Sequence, residues 1–144
     1  MDDQLSAREC EEAILDFVDC IKIPTVSGLG PINGSYNDMA TWLMNQMKSI
    51  VGIVDIKIVE DSLDGHPLVV GSIIGSIIGR KPELPQLLLN SHYDVVPVIE
   101  ENWTVPPFDG LRRDGRIYGR GTQDMKCVVV SYLHAIKKLI KSEF

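Results

Sequence analysis

A chain of 144 residues, 44% hydrophobic and 24% charged, has the makeup of an ordinary globular domain and enough length to bury a core. Its 14 Lys and Arg against 20 Asp and Glu give a formal net charge of −6, and no basic stripe offsets it, which argues against nucleic acid as a partner. The acidic start Met1-Asp2-Asp3-Gln4 lacks the basic-then-apolar order of a secretory signal, and no apolar run approaches the roughly 20 residues of a membrane span. Cys10, Cys20 and Cys127 match no metal or redox spacing and read as reduced thiols of a cytoplasmic protein.

Ser6 and Glu9 form a capping box ahead of apolar positions at helical spacing (Cys10, Ala13, Ile14, Phe17, Val18, Ile21), which predicts a helix over about 7–21. Pro24 ends it, and the Gly28–Gly34 run reads as a loop. A second helix is expected over about 36–50, with Met39, Ala40, Leu43, Met44 and Met47 on its core face. Val54, Ile56 and Ile58 alternate with Asp55 and Lys57 as in a half-buried strand, and Pro67–Ile74 reads as a second strand after an Asp64-Gly65 turn. A tandem repeat over Gly71–Gly79 lacks the spacing of a phosphate loop and reads as a hairpin or a lengthened connection.

Gln86–Asn90, with three consecutive leucines, has the pattern of a strand buried on both faces. Leu111–Tyr118 is expected to be a short hairpin about Asp114-Gly115, and a closing helix is expected over about 125–142. No linker or shift in composition divides the chain. The expected fold class is α/β: a partial mixed sheet flanked by helices, in one unit over residues 1–144.

Two polar clusters stand where an α/β protein places its chemistry. His92-Tyr93-Asp94 follows the buried strand, and open α/β sheets bind ligands at the carboxyl ends of their strands. In an H-x-D triplet both side chains share one side of an extended backbone, so the histidine can offer a ring nitrogen to a metal while the carboxylate fixes its surroundings. A structural histidine at a strand end explains the triplet about as well. Asp124, at the start of the closing helix, follows glycines 119 and 121, and it reads as a metal carboxylate or as a plain helix N-cap.

Three blocks carry a resemblance: Ser91-His-Tyr-Asp94-Val-Val-Pro97, Trp103-Thr-Val-Pro-Pro-Phe108, and Gly115-Arg-Ile-Tyr-Gly-Arg-Gly-Thr-Gln-Asp124-Met-Lys126. In order and spacing they resemble the aminoacylase and carboxypeptidase family of hydrolases with a co-catalytic zinc pair. The likeness extends more weakly to Phe17–Ser27 and to Cys127–Leu139. It implies that His92 is a zinc ligand, that Asp94 is the catalytic carboxylate set against that histidine, and that Asp124 bridges two Zn2+ ions and precedes a non-proline cis peptide. It also implies a small-molecule N-acyl amino acid as substrate, with a two-metal centre polarising the amide carbonyl. Gln-Asp-Met-Lys-Cys looks most like the aminoacylase branch, whereas Tyr93 and Pro-Pro-Phe also resemble the carboxypeptidase and dipeptidase branch.

In the family, paired glutamates, a further acidic ligand, a late histidine and a lid domain that forms a homodimer follow such a segment. The expectation is therefore a truncated catalytic domain that is inactive alone, or, in another class, a non-catalytic fragment that binds a full-length partner. His66 and His134 are expected to have surface or packing roles, Lys126 a surface role and Cys127 a core role.

Overall fold

The computed structural model describes residues 5–60, 65–73, 85 and 87–142. The first helix starts as its capping box dictates. The Glu9 N–H donates to the Ser6 hydroxyl at 3.3 Å, and the Ser6 N–H donates back to the Glu9 carboxylate at 3.0 Å. Those Ser6 hydrogen bonds hold the Glu9 carboxyl below its ordinary range. Helix α1 spans Ala7–Lys22 and turns Cys20 and Ile21 fully inward.

Within the expected loop lies a single helical turn, α2 (Gly30–Asn33), with Pro31 near its start, where a missing N–H does no harm. Helix α3 (Ser35–Lys48) follows, and its inner face is Tyr36, Met39, Ala40 and Leu43.

Strands β1 (Ile53–Glu60) and β2 (Pro67–Ile73) pair antiparallel, with an irregularity between Val54 and Lys57 where Asp55 takes φ +51°. That bulge breaks the alternation read from the sequence. Ile53 and Ile56 are the half-buried residues of β1, while Val54 and Ile58 are exposed. The repeat is described only through Ile73, as the end of β2; its remainder lies outside the described residues.

A 3₁₀ turn at Glu100–Asn102 leads to a hairpin of β3 (Leu111–Arg113) and β4 (Arg116–Tyr118). Asp114 and Gly115 form its two-residue turn at φ +53° and +71°, the left-handed geometry that an Asp-Gly pair tolerates best. Helix α4 (Lys126–Lys141) then packs along α1.

The core is Cys20 from α1, Met39 and Leu43 from α3, Ile50 beyond it, and Val130 and Leu133 from α4. Phe17, Met47, Ile53 and Val69 close around it, which seats the β1–β2 pair against α3. A polar tie crosses the same helices: His134 Nε2 lies 2.8 Å from Asp16 Oδ2, and the Gln46 amide donates to Asp16 Oδ1 at 3.2 Å. His134 is thus a buried packing residue, as expected.

The fold is α/β, as expected, but its described strands form two separate antiparallel pairs. A single parallel bridge, Val26 to Val95, adds the mixed character. The strand expected at Gln86–Asn90 differs most from its pattern. Residues 87–90 join no ladder, and Leu87 and Leu88 are 83% and 86% exposed. A strand buried on two faces needs neighbours to cover them and to take its N–H and C=O groups. Among the described residues none lies beside it.

Candidate metal centre

Two distant segments are zipped together before any site side chain enters. The Val95 N–H donates to Thr25 O and the Ser27 N–H to Val95 O, each at 2.8 Å, which is the parallel bridge. Thr25, fully buried, donates its hydroxyl to Tyr93 O. The Tyr93 hydroxyl donates to Pro67 O at 2.6 Å, and its ring meets Tyr36 edge-on at 5.3 Å. Burial, with Tyr36 and then Asp94 adding to it, pushes the Tyr93 phenol up to about 12. The His92–Asp94 triplet is therefore held by backbone pairing and by its middle side chain, not by the long strand read before it.

The loop ahead of α4 arrives from the other side. Gly121 takes φ +91°, and a Cβ there would stand 2.9 Å from Val95 Cγ1, so only glycine lets this loop lie against the bridge. The Arg120 N–H donates to Pro107 O at 2.7 Å, and its guanidinium sits 5.2 Å over the Trp103 ring. All three sequence blocks thus meet here. The Asp124–Met125 peptide is cis. Asp124 does not cap α4: the N-cap position is Met125, and no side chain bonds the first turn.

Freed from that duty, the Asp124 carboxylate meets His92, with Oδ1 3.2 Å from Nε2. The other ring nitrogen, Nδ1, faces Asp94, at 3.0 Å from Oδ1 and 3.1 Å from the backbone O. Both of those atoms only accept, and so does Asp124 Oδ1 at Nε2, so the two nitrogens compete for the ring proton; a cation at Nε2 settles it on Nδ1. In the neutral ring, Nε2 then turns a lone pair toward a carboxylate oxygen. Two such donors repel unless something positive sits between them.

The separation suits a metal. Ligands about 2.0 Å from a tetrahedral zinc lie roughly 3.3 Å from each other. Asp124 is largely exposed and the His92 and Asp94 side chains are about half exposed, so the pair opens to solvent. As a complete site it falls short. No group of three or more His, Cys, Asp and Glu that could hold a metal exists among the described residues, and a catalytic zinc needs three protein ligands. His92 and Asp124 fit as one edge of such a centre, with Asp94 behind the histidine.

The other chemistry-bearing residues lie elsewhere. Lys126, expected at the surface, is completely buried, and its ammonium donates to Cys20 O at 2.9 Å and Ile23 O at 2.6 Å. It thereby closes the carboxyl end of α1, where a cation is favoured, and leaves Asp124 to His92. Burial lowers its pKa to about 8. Cys127, expected in the core, is half-buried, and its thiol donates to Gln123 O at 3.3 Å. His66 meets the Tyr36 ring edge-on at 5.5 Å.

Ser27 is the participant that the residue pattern does not single out. Its hydroxyl donates to Asp94 Oδ2 at 2.7 Å across 67 positions, a separation with no local signal.

Residues 88–144 match the model of peptidase family M20/M25/M40. The chain is 56% identical over 62 residues to aminoacylase-1 of Sus scrofa, covering 42% of this chain and 15% of that protein. It is 44% identical over 71 residues to aminoacylase-1 of Dictyostelium discoideum, 49% of this chain and 17% of that one. Over a longer stretch it is 38% identical, across 121 residues, to the N-fatty-acyl-amino acid synthase/hydrolase PM20D1 of Mus musculus, 83% of this chain and 23% of that protein. The chain thus spans under a quarter of the length of these relatives. Residues 88–144 thus carry the pattern of peptidase family M20/M25/M40, and the similarity is to its aminoacylase-like branch.

Proposed function

We propose that this chain supplies one edge of the zinc centre of an amidohydrolase that cleaves N-acyl-L-amino acids into a carboxylate and a free amino acid. The observation that carries the reading is the facing of His92 Nε2 and Asp124 Oδ1 at 3.2 Å, with Nδ1 secured by Asp94. The family match over residues 88–144 supports it, since M20 enzymes are generally metal-dependent hydrolases, and relatives named aminoacylase and N-fatty-acyl-amino acid synthase/hydrolase point to the substrate class.

His92 and Asp124 would hold the metal, Asp124 as a bridge between two ions, and Asp94 would keep the imidazole in the tautomer that leaves Nε2 free. Bound zinc supplies the Lewis acidity that polarises an amide carbonyl and acidifies water. The chain's own residues supply position: the bridge at Val26 and Val95 and the glycine at 121 bring two ligands from separate segments to one point. The remaining ligands and the general base come from outside the described residues. Three free thiols suit a reducing compartment, and we place the working enzyme in the cytoplasm; no helix among the described residues is long and apolar enough to cross a membrane.

The test pairs metal content with rate in a longer protein that carries this segment. Asp124→Ala should lose both metals and all turnover of N-acetylmethionine. His92→Ala should weaken mainly one ion. Asp94→Ala should keep most of its zinc and lose about 10- to 100-fold in rate. The 144-residue chain alone should show no zinc-dependent turnover. Normal zinc and normal rate in Asp124→Ala would sink the bridging role.

A further inference from the structure

Asp94 is held at both of its carboxylate oxygens, and only one of those contacts belongs to the histidine. Oδ1 faces His92 Nδ1 at 3.0 Å, and Oδ2 accepts from the Ser27 hydroxyl at 2.7 Å. The hydroxyl has one proton and, besides the carboxylate, two polar neighbours: the Tyr36 hydroxyl, which can donate to it, and a second acceptor, Val95 O, at 3.1 Å. That carbonyl already accepts the Ser27 N–H at 2.8 Å, whereas the carboxylate offers the shorter, charge-assisted bond. The proton therefore goes to Asp94.

Placement is not left to chance. Ser27 sits one residue beyond Val26 and Asp94 one before Val95, so the parallel bridge puts the two side chains on the same face, diagonally across from each other. A half-exposed carboxylate has a soft terminal torsion, and a hydrogen bond at each oxygen fixes it.

We propose that Ser27 is a positioning residue for the metal edge: its hydroxyl fixes the Asp94 carboxylate, and through it the ring orientation and tautomer of His92. The inference rests on the reading of His92 as a metal ligand for its functional weight, but its geometry does not need the metal. The chain is hydroxyl to carboxylate to imidazole, with Nε2 left facing Asp124 at 3.2 Å. Nδ1 has a second acceptor in the Asp94 backbone O at 3.1 Å, so the share held by the carboxylate must be measured rather than assumed.

The experiment is imidazole nitrogen NMR on the metal-free 144-residue chain carrying Asp124→Ala, which removes the competing acceptor at Nε2, so the ratio of the two His92 tautomers reads the Nδ1 side directly. With Ser27 and Asp94 intact, Nδ1–H should predominate. Ser27→Ala should raise the minor tautomer about fivefold, the equivalent of one ordinary hydrogen bond, and Asp94→Ala at least as much. Ser27→Thr, which keeps the hydroxyl, should restore the ratio seen with Ser27 intact. If Ser27→Ala is unfolded by circular dichroism, Ser27→Cys, close in size and a poor donor, takes its place with the same expectation. An unchanged ratio in the folded Ser27 variant, an unchanged ratio in Asp94→Ala, or a Thr variant as perturbed as Ala would each overturn the proposal. Zinc added to the chain with Asp124 intact tests the metal reading separately: a His92 signal that zinc does not move counts against the ligand role and leaves the Ser27 result standing.

Discussion

At Cys20 the thiol has no solvent contact, and burial pushes it up from an ordinary 9.0 to about 11. A thiolate there would be stripped of water, so the neutral form is favoured despite Lys126 nearby. The consequence for stability has a definite sign. Below about pH 9 the thiol is neutral in folded and unfolded chains alike, and its contribution is complete. Between about 9 and 11 the unfolded chain ionises first, and stability is lost as pH rises, by at most about 3 kcal/mol. Urea midpoints at pH 8 and pH 11 should therefore fall less steeply in Cys20→Ala than in wild type. Equal slopes would show that the thiol does not titrate this way. Thiol titration of the native chain should find Cys10 and Cys127 reactive and Cys20 protected.

Lys126 belongs to the scale of elements, because it joins two of them. Positions 126, 130 and 133 share one face of α4, and Val130 and Leu133 are both in the core, so helical spacing alone placed the lysine inward. Charge argued for the surface, but the open carbonyls at the end of α1 outweighed it. Lys126→Met should keep the volume and remove the charge-assisted bond from each of two carbonyls, leaving Cys20 O with the Ile23 N–H at 3.4 Å and Ile23 O with the Thr25 N–H at 2.9 Å, at a cost of about 1–3 kcal/mol each before relief of the buried charge. Net destabilisation of about 1–3 kcal/mol in thermal melts is expected; a variant as stable as wild type would show that the ammonium does not hold the junction.

The same contrast marks what was legible. The capping box, the Asp-Gly turn and the helical stripes were readable because each is decided within four or five residues. The bulge at Asp55 was not, and a single inserted residue there exposed Val54 and Ile58. His92, Asp94 and Asp124 could be nominated from their motifs, whereas Ser27, 67 positions away from its partner, needed the fold.

At the scale of the molecule, the leucines at 87 and 88 are, with Ile32 and Val51, the most exposed large apolar side chains among the described residues, and they are adjacent. Side chains of that size, mostly exposed beside backbone that joins no ladder, make an adhesive stretch next to the metal edge. An exposed apolar pair of this kind is expected to draw copies of the chain together. Sedimentation of the 144-residue chain should show concentration-dependent association, and Leu87→Lys with Leu88→Glu should abolish it. A wild-type chain that stays monomeric at high concentration removes this reading.

The parallel bridge also bears on which changes the chain can absorb. Ser27 and Val95 are joined across 68 positions, and the β1–β2 pair lies between them. Closing a loop already that long depends only weakly on its length, and even doubling it adds about 0.6 kcal/mol. The placing of Asp94 and His92 is therefore nearly indifferent to how much chain is inserted between the two anchoring segments, provided the register at Val26 and Val95 is kept. Slipping that register by one residue would leave every side chain present and turn Ser27 away from Asp94.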